Sequence, residues 1–418
     1  MNLDAPPRPP AADTDGAPGA LARCVGDPTA FLATSWGRSA SLVENADRAG
    51  FADLLTLDDV DRFITTQALR VPYVRLVRAD TKIPEPAYTR SGRTGSRDVG
   101  GIVDPAKVAA AFADGATLVL QGLHRWHEPV TRFCRDLEFE LGHPCQVNAY
   151  VTPPGAQGLA THADAHDVFV LQAFGSKRWH VGAAPAGGQP IEAELAVGDA
   201  LYMPRGTPHS ASAQRAVSGH LTVGIHVTPW REVIRDVLAR LDDDPAVAGD
   251  VPAGWLGDPS AFAAALGDRL ALLAASLRDD VDPLEVVDRR LERFLSTRAQ
   301  LARGTVAAAA TARAIGDATV VERRSGSVCV VRPGRDDLQV LLGDRRLTMP
   351  AWVEPAMRRI AETDVLRVGD LAAELPSASG RAVLIRRLVR EGLLAVRDGS
   401  EDASRAASGG SSDGPQGG

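Results

Sequence analysis

At 418 residues the chain is longer than one hydrophobic core usually serves, so two to three domains are expected. Its 44% apolar and 24% charged content is that of an ordinary globular protein, and a net charge of −7 argues against a chain devoted to coating nucleic acid. There is no unbroken apolar run of about 18 residues. The N-terminus, MNLDAPPRPPAADTDGAPGA, has no apolar segment, so neither a membrane span nor a secretory leader is expected.

Cys24, Cys134, Cys145 and Cys329 are scattered without CxxC spacing, which reads as reduced thiols of a cytoplasmic protein. Of 46 basic residues only Lys82, Lys107 and Lys177 are lysines, so each one merits inspection. Residues 1–22 and 401–418 are rich in Pro, Ala, Gly and Ser and read as disordered tails.

Residues 23–232 form the first block. Thr56 to Asp59 has the pattern of a capping box ahead of VDRFITTQAL. PYVRLVRA reads as a strand, and DPAKVAAAFADG as a helix with Asp104 as N-cap and proline at the first helical position. TLVLQGL reads as a buried strand, and HEPVTRFCRDLEFELG as a helix stopped by Gly142. From Cys145 the period drops to two. CQVNAYVTP, HDVFVLQAF, KRWHVG, DALYMP and HLTVGIHVTP predict short strands broken by Pro/Gly turns, the pattern of an antiparallel barrel or jelly roll.

Residues 233–305 carry apolar stripes at helical spacing, in WREVIRDVLARL, SAFAAALGDRLALLAASL and PLEVVDRRLERFLSTRAQLA. Such stripes bury against each other or against a second subunit, so a helical dimerisation domain and a homodimer are expected. Residues 306–400 mix strands with VGDLAAELPSASGRAVLIRRLVREGLLAV, the outline of a winged helix. That block holds 15 Arg and 12 Asp/Glu, and its basic side carries Arg381, Arg386, Arg387 and Arg390. The charge is too modest for nucleic acid to be the favoured partner.

The chemistry concentrates around Thr161-His162-Ala163-Asp164. Residues two apart on an extended segment face the same way, so His162 and Asp164 can address one point. The segment GDALYMPRGTPH then ends at His209, just past a Pro/Gly turn. Two imidazoles and one carboxylate leave the opposite face of a metal open, which suits non-haem Fe(II) oxygenases. Lys177 opens the next strand, and pairing across Gly175-Ser176 would put its ammonium in the same barrel mouth. A compact cation there can hold the distal carboxylate of a dicarboxylic cosubstrate. His220 and His226 read as hydrogen-bonded strand histidines, His124 and His127 as shaping the barrel flank, and His143 as a turn residue.

The stretch from LTLDDVDRFI to HVTPW resembles the JmjC-type cupin oxygenases, specifically the ribosomal oxygenase family. NAYVTPPGAQGLATHADAHDVFVLQAFGSKRWHVG and GDALYMPRGTPHSA carry the resemblance. It implies a double-stranded β-helix (cupin, jelly-roll) barrel, in an α+β chain with a helical dimerisation domain and a C-terminal winged helix. It also implies iron ligation by His162, Asp164 and His209, 2-oxoglutarate binding by Lys177, and a pocket lined by Asn148 and Tyr150. Two features depart from the family pattern: His166 after the HxD, and the Arg/Gly-rich TRSGRTGSRDVGG. The expected activity is an Fe(II)-, 2-oxoglutarate- and O2-dependent hydroxylation of a protein side chain, with a ribosomal protein as the implied partner. A small-molecule or peptide substrate, and a ligand-sensing regulator that binds DNA, stay open as alternatives.

Overall fold

The computed structural model describes residues 18–397, apart from residues 48–49, 79–80, 157, 159, 214, 242–243, 245–246, 299–303 and 325. The C-terminal tail and all but the last residues of the N-terminal one lie outside the described residues. Two compact units meet in sequence at Pro229 and Trp230.

The first unit contains α1 (Ala20–Val25), α2 (Pro28–Thr34), β1 (Ser41–Val43), α3 (Leu57–Thr66), β2 (Val74–Arg78), β3 (Thr81–Lys82), β4 (Thr89–Thr94), β5 (Arg97–Val103), α4 (Pro105–Ala113), β6 (Thr117–Leu120) and α5 (Glu128–Leu141). Then come β7 (Cys145–Thr152), β8 (Asp167–Phe174), β9 (Lys177–Val181), β10 (Ile191–Leu195), β11 (Ala200–Met203), β12 (His209–Ala213) and β13 (Ser218–Ile225). Residues 20–22, expected to belong to a tail, open α1 instead. Leu21 and Cys24 are buried, and the Glu140 carboxylate accepts the otherwise free Leu21 N–H at 3.2 Å.

Local signals set the helix ends as expected. Thr56 and Asp59 form a reciprocal capping box on α3, and Asp104 accepts from Ala106 and Lys107 at the start of α4. Gly142 ends α5 in the left-handed region at φ 67°, where a side chain would be strained.

The strands make an eight-stranded sheet in the order β1-β11-β8-β13-β7-β6-β2-β3 and a three-stranded sheet in the order β10-β9-β12. Alternation divides the core. Val168 and Val170 of β8 pack with Trp179, Val181 and Leu195 of the smaller sheet, while Phe169 and Leu171 point the other way, into a core shared with α1, α3 and α5. This two-sheet barrel with flanking helices is a cupin fold. β4, β5 and β12 lack a clear period-two signal because they are largely exposed or polar, as in HSASA, while β10, IEAEL, alternates but is short and is not among the predicted strands.

The second unit contains α6 (Trp230–Leu238), α7 (Pro259–Asp279), α8 (Pro283–Ser296), α9 (Thr305–Thr311), β14 (Val320–Arg323), β15 (Val330–Pro333), β16 (Asp337–Leu341), β17 (Arg346–Pro350), α10 (Glu354–Glu362), β18 (Val365–Arg367), α11 (Ala378–Arg390) and β19 (Leu394–Val396). Two three-stranded sheets, β15-β16-β17 and β18-β14-β19, pack with α10 and α11 around Leu338, Val340, Met357, Ile360, Ile385 and Leu388. Arg332 joins α8 to the strands through Asp288 at 2.7 Å and Glu292 at 2.8 Å. The stretches 233–305 and 306–397 therefore form one compact unit. Among the described residues α7 alone is long and apolar enough, by length and composition, to cross a membrane, although Asp268 and Arg269 sit mid-helix and none of its residues is buried. That qualifies the expectation that no segment meets this test.

Candidate active site

His162 lies outside the named strands, between β7 and β8, and one isolated bridge ties it down. His162 N donates to His209 O at 3.1 Å, and His209 N donates to His162 O at 2.8 Å. The Gly206 N–H donates to Asp164 O at 2.8 Å, so the PRGTPH turn is clamped to the HxD segment at two points. The result brings His162, Asp164 and His209 together. One ligand atom from each lies within 4.8 Å of the others, with His209 Nε2 3.6 Å from Asp164 Oδ2.

Both imidazoles are oriented. His162 Nδ1 lies 2.9 Å from Ala160 O, and His209 Nδ1 lies 2.9 Å from Thr207 O. A carbonyl accepts only, so each Nδ1 carries the proton and each Nε2 lone pair is free, which is the tautomer of a metal ligand. Burial, followed by proximity to His162, holds the His209 imidazole below its ordinary pKa, which keeps that lone pair available near neutral pH. The donor set, its separation and its preset tautomers fit a divalent metal bound on one face.

Asp167, the first residue of β8, is a positioning residue that the sequence reading missed. Its buried carboxylate accepts from the Tyr202 hydroxyl and, at 3.2 Å, from Arg205 N, fixing the turn that delivers His209. Tyr202 in turn accepts Gly37 N at 2.9 Å.

The three side chains open onto a cavity of about 90 Å³ between the sheets. Asn148, Tyr150 and Lys177 are among its lining residues. Asn148 accepts Gly122 N through Oδ1 at 2.9 Å, and Tyr150 stacks on His220 with centroids 5.3 Å apart.

Lys177 reaches the cleft by a different route from the one expected. β9 does not pair with β8. Lys177 lies opposite Leu195 and Ala213 in the smaller sheet, and its side chain crosses to the larger one. Its ammonium is therefore buried, 1% exposed, at the floor and not at the mouth. There it donates to His220 Nδ1 at 3.0 Å and Tyr150 O at 3.4 Å, with no carboxylate partner among the described residues. Burial alone lowers its pKa to about 7. Trp179 also lines the cleft, with its buried indole N–H unpaired among the described residues. A buried cation and an unpaired donor on the floor fit an anionic group of a bound ligand.

His220 is therefore more than a strand histidine. Burial and the Lys177 charge hold it neutral, well below its ordinary pKa, as the acceptor for the ammonium. Its signal was present in the sequence: it shares inward parity with Ser218 and Thr222 and falls opposite Tyr150 in the β13–β7 register. His226 instead packs edge-on to His166, 5.2 Å away. His166 and Gln146 line the cleft near Gly224, and a Cβ on Gly224 would lie 2.8 Å from His166 Cε1. His124 accepts Val147 N at 3.0 Å, and His127 bonds Leu54 O at 2.9 Å, both holding the flank as expected.

Residues 124–233 match the JmjC domain family, the span that carries the three side chains and the cleft. Ribosomal oxygenase 1 of Gallus gallus is 28% identical over 255 residues, covering 55% of this chain and 41% of that protein. The bifunctional lysine-specific demethylase and histidyl-hydroxylase NO66 of Drosophila mojavensis is 29% identical over 217 residues, covering 47% and 23%. Over the matched stretch the chain is similar to the JmjC domains of ribosomal oxygenases. It spans less than half the length of these curated relatives. Among solved structures, the Escherichia coli ribosomal oxygenase YcfD in complex with cobalt and succinic acid aligns over 90% of this chain and 99% of its own, with a TM-score of 0.52 at 18% identity. YcfD in complex with cobalt and 2-oxoglutarate aligns over the same shares with a TM-score of 0.51. At that identity the likeness speaks for the fold.

Proposed function

We propose that this chain is an Fe(II)- and 2-oxoglutarate-dependent oxygenase that hydroxylates a side chain of a ribosomal protein. One observation carries the reading: a preset His-Asp-His cluster shares its cleft with a buried ammonium that has no counter-ion among the described residues. His162, Asp164 and His209 would hold the metal, and Lys177 would hold the distal carboxylate of the cosubstrate. The iron, with 2-oxoglutarate and O2, supplies an oxidant strong enough for an unactivated C–H bond.

The chain's own residues do the rest. Ala160 and Thr207 carbonyls fix the ligand tautomers, and Asp167 fixes the turn bearing His209. His220 aims the Lys177 ammonium, and Tyr150 stacks over His220 to shield that charge from water. Gln146, Asn148, His166 and Thr222 give the rest of the cleft polar groups for the substrate.

α6 to α8 are read as a dimerisation element, supported by the exposure of Trp230 and Leu256, 80% and 79%, and of Leu270 and Leu272 on α7. Charged residues mid-helix cost roughly 2.5–3.5 kcal/mol each in a bilayer centre, which favours a protein partner over lipid for α7. Residues 306–397 are read as a winged helix with a structural role, since two arginines of its basic side are engaged internally. Arg381 pairs with Asp317 at 2.7 Å, and Arg386 donates to Arg313 O and Ile315 O, both at 3.0 Å.

The test is succinate release by the iron-loaded chain, with ribosomes, ribosomal proteins and a small-molecule panel offered in turn. Release stimulated by a ribosomal protein, with a mass gain of one oxygen on it, supports the reading. Release stimulated only by small molecules, or none at all, refutes it.

A further inference from the structure

The Arg/Gly-rich segment that departs from the family pattern has an ordered structure and an uneven charge. Residues 70–98 hold seven Arg/Lys and three Asp/Glu, a net of +4 in a chain whose net charge is −7. Most of these cations stand on two neighbouring pieces of backbone. Arg78 and Lys82 flank the β2–β3 edge of the large sheet, where Val77 pairs with Lys82 and Arg78 with Thr81. Arg90, Arg93 and Arg97 stand on the β4–β5 hairpin, all exposed.

The hairpin is anchored to the chain entering β2. Val71 N donates to Gly101 O at 3.1 Å, Val103 N to Leu69 O at 2.8 Å, and Arg70 Nε to Gly100 O at 2.9 Å. From there one hydrogen-bonded sheet runs to the cleft, because Arg75 pairs with Val119, and Val119 pairs with Tyr150. Among the described residues the cations are weakly compensated. Arg93 meets Asp98 only at 4.0 Å, Lys82 meets Glu85 at 3.7 Å and Arg78 meets Asp114 at 3.8 Å, all on exposed side chains. Such pairs contribute little and leave the charge available to a ligand.

We propose that the β4–β5 hairpin and the β2–β3 edge form an arm that docks on an RNA phosphate backbone beside the cleft. The inference rests on the reading of a ribosomal substrate, whose surroundings are RNA, and adds a second contact to it. Composition separates RNA from a protein partner. Residues 90–98, RSGRTGSRD, contain no apolar or aromatic side chain. Protein interfaces are anchored by buried aromatic and apolar groups and are depleted in charge at their centres. Phosphate contacts need only guanidinium groups, hydroxyls and backbone N–H donors, which the hairpin offers in alternation. The arm positions the substrate without reading sequence.

The test uses the full chain and three labelled probes: a ribosomal RNA hairpin, a DNA duplex of equal length and polyglutamate. Binding to the RNA is followed against salt for the wild type and for the triple variant Arg90→Gln, Arg93→Gln, Arg97→Gln. Losing three phosphate contacts lowers the slope of log affinity against log salt by about 2. The thermal midpoint and substrate-free 2-oxoglutarate turnover stay at wild-type values, because none of the three residues lines the cleft. Arg78→Gln with Lys82→Gln, made separately, lowers the slope by about 1.4. An unchanged slope in both variants overturns the proposal, as does DNA or polyglutamate binding as tight as RNA. Succinate release from the same samples separates the two readings: wild-type RNA binding without any release would remove the oxygenase function and leave the arm standing.

Discussion

Replacing Lys177 by Met separates binding from folding. Without cosubstrate the ammonium is a buried charge whose pKa falls from 10.5 to about 7 through desolvation. At 1.36 kcal/mol per unit, that depression corresponds to roughly 5 kcal/mol favouring the neutral amine. The sign follows from proton counting. Between about pH 7 and 10.5 the unfolded chain holds a proton that the folded chain lacks, so stability rises with pH across that window. Below about 7 the full penalty is present. Lys177→Met removes it, so the thermal midpoint of the cosubstrate-free protein should stay or rise, and its rise between pH 7 and 10 should flatten.

Cosubstrate binding should behave in the opposite way. Leaving a buried carboxylate unpaired costs about 2–5 kcal/mol, which at 1.4 kcal/mol per decade raises the KM for 2-oxoglutarate roughly 30- to several thousand-fold. In the wild type a carboxylate at Nζ restores the charged form, so binding takes up a proton above pH 7 and affinity weakens as the pH rises. The assay is succinate release against 2-oxoglutarate concentration, beside thermal unfolding without cosubstrate. A KM within about threefold of wild type, together with a lowered midpoint, would show that Lys177 serves the fold and not the ligand.

Asp167→Ala should strand the Tyr202 hydroxyl and Arg205 N–H and loosen the turn that delivers His209. The expected loss is about 1–3 kcal/mol of stability by denaturant unfolding, with metal affinity reduced about 10–100-fold by calorimetry. His220→Phe keeps the stack on Tyr150 but removes the acceptor for Lys177. It should raise the KM for 2-oxoglutarate more than it lowers kcat, whereas a purely structural role would lower the thermal midpoint with KM unchanged. Gly224→Ala puts a Cβ 2.8 Å from His166 and should weaken substrate-stimulated turnover while sparing substrate-free turnover. Equal loss of both would place His166 away from the substrate path.

Much of this was legible in the sequence because local rules dominate where the chain is regular. Capping at Thr56 and Asp104, the Gly142 stop and the period-two strands after Cys145 are short-range signals, and each reappears in the structure. The His-Asp-His cluster was legible because its spacing and its Pro/Gly turn are local too. What failed was pairing between strands. Lys177 was placed by an assumed β8–β9 hairpin, yet β9 joins the opposite sheet, so the ammonium ends at the floor beside His220. Nothing in KRWHVG encodes which sheet receives it. Asp167 looked like part of a strand start, and its role depends on Tyr202 and Arg205, which lie some 35 residues away in sequence. The β4–β5 hairpin has little apolar alternation to read, because only its base, at Thr89 and Val103, is buried.

The most direct test of the central claim is an anaerobic titration of the chain with Fe(II) and then 2-oxoglutarate, followed by visible absorption. If His162, Asp164 and His209 hold the metal and leave room for a chelating 2-oxo acid, a metal-to-ligand charge-transfer band appears only when both are present. It should vanish in His162→Ala and Asp164→Ala, and in Lys177→Met it should need far more 2-oxoglutarate to develop. No band in the wild type, or an undiminished band in the His162 and Asp164 variants, would contradict the account.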